Sequence, residues 1–105
     1  MKRFHLALGV FNIEESVIEY STRLEQQPDV TIPNEYALWR IATLNFSIRK
    51  VNQEESGRLR HLGWESSDAT EFTTVIDVNH IPWEHFTAAH QDEEIRRTWP
   101  LISNT

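Results

Sequence analysis

The chain has 105 residues, 39% of them apolar, and a formal net charge of −6. That length holds one ordinary domain at most; no uninterrupted run of the roughly 18 apolar residues needed to span a bilayer is present, and a pI near 5.3 offers no basic field to nucleic acid. Zero cysteines exclude disulfides, zinc–thiolate sites and thiol nucleophiles, so any metal must be held by nitrogen and oxygen.

In chain order, Phe4, Leu6, Leu8 and Val10 alternate with Arg3, His5, Ala7 and Gly9, the period-2 signal of a strand over residues 3–10 with one face on a core and His5 on the other. Asn12 then precedes Ile13-Glu14-Glu15 as a helix N-cap, and Ile13, Val17, Tyr20 and Leu24 recur at helical spacing through about residue 26. This helix is expected to cover the Phe4/Leu6/Leu8 face and to end before Pro28. Strands are expected at 28–33, 36–42 and 44–50, with Pro33-Asn34-Glu35 as a turn.

The polar stretch Asn52 to Gly57 is a loop of ordinary length. Strands return at 59–66, carrying His61, and at 71–78 and 82–88, the last two joined by an Asp77-Val78-Asn79-His80 turn. From His90 onward, acidic residues precede basic ones, the order a helix dipole favours, and Pro100 ends a short, weakly anchored C-terminal helix. No apolar leader segment follows Met1-Lys2-Arg3, so a cytoplasmic location is expected.

His5, His61 and Glu84 each sit in a strand-like run, and two neutral imidazoles with one carboxylate suit a labile divalent metal site with open coordination positions. Alternation places His5 beside Ala7 and Gly9, and His61 beside Gly63 and Glu65, opposite Leu6, Leu8, Leu62 and Trp64. Glu65 is the one candidate for proton transfer. His80, His85 and His90, spaced by five, lack metal-ligand spacing on a helix and read as turn, opposite-face and exposed residues. Tyr36, Trp39, Trp64 and Trp83 read as core or interface, and Arg40 and Arg49 as surface ion-pair residues unless they face a cavity, where they would contact an anionic substrate.

Met1-Lys2-Arg3-Phe4-His5-Leu6-Ala7-Leu8, the helix Glu14 to Ser21, Tyr36-Ala37-Leu38-Trp39, Leu44-Asn45-Phe46-Ser47-Ile48, His61-Leu62-Gly63 and Asp77 to Phe86 together resemble the vicinal oxygen chelate superfamily. That superfamily includes glyoxalase I, bleomycin-resistance proteins, fosfomycin-resistance enzymes and extradiol dioxygenases. The nearest likeness is to small arsenic- and cadmium-inducible glyoxalase-like proteins. The resemblance implies an α+β fold of paired β-α-β-β-β modules: a complete first module at 1–52, a second cropped to 58–89, and a tail or short helix at 90–105, all in one domain.

It also implies that His5, His61 and Glu84 point into one cavity and hold Fe, Mn, Ni or Zn. Glyoxalase-type relatives have a fourth ligand on the last strand of module one, but that strand here carries no carboxylate, so the set resembles the extradiol dioxygenase pattern more closely. The implied function is a metal-dependent lyase or dioxygenase acting on a small oxygen-chelating substrate. The alternatives are non-catalytic sequestration, as in the bleomycin-resistance members, and a degenerate interaction module. The family's arsenical-binding cysteines have no counterpart here. Residues 66–70 are too few for the family's second helix and an additional strand, so an apolar sheet face is left to be covered by a second copy, giving a homodimer in which modules are exchanged or not.

Overall fold

The computed structural model describes residues 1–100, and the end of the expected C-terminal tail lies outside them. The elements run β1 (Lys2–Val10), α1 (Ile13–Leu24), β2 (Val30–Ile32), β3 (Tyr36–Ile41), β4 (Leu44–Lys50), a single 3-10 turn (Gln53–Glu55), β5 (Leu59–Ser66), β6 (Thr73–Ile76), β7 (Pro82–Phe86) and α2 (Ala88–Thr98). The fold is α+β, with a mixed seven-stranded sheet ordered β2-β3-β4-β1-β5-β7-β6.

Helix α1 starts where its sequence says it should: the Asn12 side chain accepts a hydrogen bond from the Glu15 backbone N–H, and Glu14 and Glu15 lie in the first turn. It ends at Leu24 rather than near residue 26, because Glu25 adopts a left-handed conformation (φ 57°) and its N–H closes the last turn onto Ser21 and Thr22. Its apolar stripe of Ile13, Val17, Tyr20 and Leu24 packs on Leu8, Val10, Trp39, Phe46 and Ile48. The helix therefore covers only part of the face expected of it. Phe4, at the far end of β1, packs instead edge-on against Trp64 and Trp83, with ring centroids 5.3 and 6.2 Å away.

Helix α2 lies on the opposite face, where Ile95 packs with Ile32, Tyr36 and Leu38. It is longer and better anchored than its polar sequence suggests. Thr87 caps it, accepting from the His90 N–H, while His90 Nδ1 accepts from the Thr87 N–H; His90 is thus a partly buried capping residue rather than an exposed one. Strand β6 is shorter than the 71–78 run because Asp77 leaves it to bind the turn: its Oδ1 accepts from the backbones of Asn79 and Ile81 and its Oδ2 from Trp83 Nε1.

The sheet has an approximate two-fold relation centred on the Leu6–Leu62 pair. β1 and β5 are antiparallel, with His5 opposite Gly63 and Ala7 opposite His61. Each has a parallel outer neighbour, β4 or β7, that is itself paired antiparallel with β3 or β6. Register makes Ser47, opposite Ala7, the counterpart of Glu84, opposite Gly63. Among the described residues, α1 and β2 have no counterparts in the second half. The face that α1 covers in the first half is consequently bare in the second, where Trp64 is 39% and Val75 68% exposed.

Candidate metal site and cavity

One cross-strand row on the α2 side of the sheet runs Asn45, His5, Gly63, Glu84, Thr74, and His61 enters from the adjacent row opposite Ala7. The three residues singled out from sequence are brought together: one potential ligand atom from each of His5, His61 and Glu84 lies within 4.8 Å of the others. His61 Nε2 is 2.9 Å from His5 Nε2 and 3.0 Å from Glu84 Oε1, and His5 Nε2 is 3.8 Å from that same oxygen. Two imidazole nitrogens and a carboxylate oxygen converging with this spacing form a donor set that fits a first-row divalent cation.

The proton on His5 is assigned by its partners. Nδ1 lies 2.8 Å from Asn45 Oδ1 and 3.2 Å from the Asn45 carbonyl oxygen, both acceptors, so Nδ1 donates and the Nε2 lone pair faces His61 and Glu84. Asn45 is itself oriented, since its Nδ2 donates to Glu65 Oε1 (2.9 Å) and Gln91 Oε1 (2.8 Å) while Gln91 Nε2 returns a 3.2 Å bond to Asn45 Oδ1. Glu65 is bound to Arg3 at 2.7 Å, and Arg40 donates to both Gln91 and Asp92 at 2.9 Å. These contacts hold one amide, and through it one imidazole tautomer, in place. Burial, and next the neighbouring His61, hold the His5 pKa below its ordinary 6.5, against the opposing effects of Asn45 and Glu84.

Two expectations are corrected here. Glu65 is buried in ion pairs behind Asn45 and does not line the cavity, so it is not placed to move a substrate proton. Arg40 belongs to the same buried support and not to the cavity, whereas Arg49 does line it.

Above the triad opens a cavity of about 340 Å³ whose walls include Tyr36, Ser47, Arg49, Arg60, Phe72 and Trp99. Burial pushes the Tyr36 phenol up to about 12, against an opposing hydrogen bond with Ser47, so it remains an O–H donor at neutral pH. Its ring lies 5.1 Å from that of Trp99. Trp39, by contrast, is wholly core, its Nε1 donating to the Gln26 carbonyl.

Arg60 was not legible as a site residue, because strict alternation would send it to the face opposite His61. The β1–β5 register shifts between Ala7, opposite His61, and Leu8, opposite Leu59, leaving Arg60 as the extra residue of a bulge. Arg60 and His61 consequently line the same cavity. Burial, and second Arg49, lower the Arg60 pKa from its ordinary value.

No protein-family model and no curated protein sequence matches the chain. Among solved structures it is similar to the crystal structure of an NAD-dependent benzaldehyde dehydrogenase from Legionella pneumophila, with a TM-score of 0.55 and 13% identity over 80% of this chain and 97% of that one. At that identity the similarity is one of fold alone. Among the described residues no helix is long and apolar enough to cross a membrane.

Proposed function

We propose that this chain is a vicinal-oxygen-chelate-type protein with a complete first module and a cropped second one, and that it binds a divalent metal through His5, His61 and Glu84 to act on a small oxygen-chelating substrate. The observation that carries this reading is the convergence of the three donors, 2.9 to 3.8 Å apart pairwise, at the seam between two two-fold-related halves. The strand order and the register relation of Ser47 to Glu84 support it further, since a serine at that position leaves a set of two histidines and one carboxylate.

When bound, Fe, Mn, Ni or Zn supplies Lewis acidity toward vicinal substrate oxygens and, as iron(II), redox chemistry toward dioxygen. The chain's own residues do the rest. Asn45 keeps His5 in the tautomer with a free Nε2, Tyr36 offers an O–H into the cavity, and Phe72 and Trp99 give the cavity apolar walls. The set of two histidines and one carboxylate favours a dioxygenase over a glyoxalase.

The bare face on β5, β7 and β6 supports a homodimer as part of the same proposal, a second copy covering Leu62, Trp64, Trp83 and Val75 with or without exchange of modules. The deciding experiment is elemental analysis of untagged protein after incubation with each metal in turn, alongside His61→Ala and His90→Ala. Near-stoichiometric uptake by the wild type and His90→Ala, lost in His61→Ala, is expected. Failure of the wild type to take up any of the four metals overturns the reading.

A further inference from the structure

All but two of the eight arginines form an ion pair with a carboxylate among the described residues: Arg3 with Glu65, Arg23 with Glu19, Arg40 with Asp92, Arg58 with Glu55, and Arg96 and Arg97 with Glu93. The exceptions are Arg49 and Arg60, and both line the cavity above the histidines. They arrive there from different strands and by different means. Arg49 stands on β4 opposite Tyr36 and Gly9, its guanidinium 5.2 Å from the Trp99 ring centroid; Arg60 is turned inward by the bulge in β5. In a chain with a net charge of −6, two partly buried cations that form no ion pair with a carboxylate among the described residues and share one concavity are an unusual use of charge. Among the described residues, Glu84 and Glu94 are the acidic ones that line the cavity. Glu84 belongs to the histidine cluster, and Glu94 is exposed on α2.

We propose that Arg49 and Arg60 form an anion-binding subsite, so that the cavity takes a small acid: a molecule with a carboxylate or phosphonate on the two guanidiniums and its reacting oxygens directed toward His5, His61 and Glu84. The second half of this statement rests on the metal reading above; the first does not. Guanidinium forks match both carboxylate and phosphonate geometry, and burial away from water strengthens such charge-assisted bonds. Trp99 stacks on one side of Arg49 and restricts its orientation, which lowers the entropy lost on binding. A cavity of about 340 Å³ lies near the lower end of the range for small-molecule sites and suits one ring or a short chain bearing an acid group.

Metal-stripped protein is titrated with benzoate, phenylphosphonate and the neutral benzyl alcohol, following chemical shifts of the cavity residues. The expected result is binding of at least one anion, with benzyl alcohol at least about tenfold weaker, and a loss of about tenfold or more in Arg49→Gln and Arg60→Gln. Arg60→Lys, which keeps the charge without the fork, should recover part of the loss. The ratio of benzoate to phenylphosphonate affinity identifies which acid is preferred. Equal binding of the anions and benzyl alcohol by the wild type, or no binding of either anion, overturns the subsite, and this comparison needs no variant to fold. Metal uptake is measured on the same samples: intact uptake with no anion binding removes this inference alone, and anion binding without metal uptake removes only the metal reading.

Discussion

Gly63 on β5 lies so close to Glu84 on β7 that a Cβ placed on Gly63 would collide with the Glu84 backbone carbonyl. Because Gly63 is also the residue opposite His5 on β1, the missing side chain lets the strand bearing the carboxylate approach the strand bearing the histidine. Gly63→Ala should therefore push β7 outward, destabilising the fold by about 1 to 3 kcal/mol through overpacking. Residual folded protein should also bind metal more weakly. Urea unfolding and metal titration of the same variant check both effects; a variant with unchanged midpoint and affinity contradicts the tight packing of these strands.

Asn45 is a positioning residue whose effect on metal should exceed its effect on folding. Asn45→Leu removes the nearer of the two acceptors for His5 Nδ1–H, leaving only the main-chain carbonyl at 3.2 Å, and removes the donor to Glu65. A loss of about 10- to 100-fold in metal affinity is expected. A merely structural role would leave the His5 tautomer unchanged, so nitrogen NMR of the imidazole is the discriminating measurement: predominantly Nδ1–H in the wild type, mixed in the variant.

The buried His5 gives the protein a definite acid sensitivity. Its pKa in the folded protein is below the ordinary 6.5, so the unfolded chain binds the proton more readily. The stabilisation this provides is fully present above 6.5 and is lost as pH falls through the folded value, with a slope of at most about 1.4 kcal/mol per pH unit for one proton. His61 and Glu84 face the same ring, so the slope in His5→Gln, compared with wild type between pH 7.5 and 5, isolates the contribution of His5. Metal affinity should fall over the same range, because the imidazole must be neutral to bind metal.

The bare apolar face predicts self-association. Burial of roughly 1,000 Å² or more in total is expected for a stable pair. Trp64→Glu, at a side chain that is 39% exposed and packs on Phe4, should shift a dimer to monomer in light scattering while leaving metal uptake intact. A monodisperse wild-type monomer contradicts this.

Local alternation was enough to place β1, β4 and β5, and with them His5 and His61, because each of these strands has one face set by its apolar residues. Glu84 followed from the family resemblance, since the apolar residues of β7 divide between the two faces, Trp83 packing on Phe4 and Phe86 on His5. What escaped were features that depend on partners distant in sequence. Asn45 and Gln91 are 46 residues apart and carry no motif, yet they form a paired amide behind His5. Helix α2 looked weakly anchored because Ile95 is its one large apolar residue; its docking relies equally on the buried Gln91 and on an N-terminal cap in which histidine takes the place usual for glutamate. The inward turn of Arg60 was hidden because a bulge leaves the residue types of a strand unchanged and alters only their count against the partner.

That bulge makes the charge of the cavity a matter of strand length. If β5 were one residue shorter at its start, strict alternation would return and one guanidinium would leave the concave side, with every neighbouring residue type retained. In homologous sequences, a single-residue insertion or deletion just before the histidine of this strand would thus signal a change in the ligand accepted, although an alignment would display it as an innocuous gap at the end of a loop.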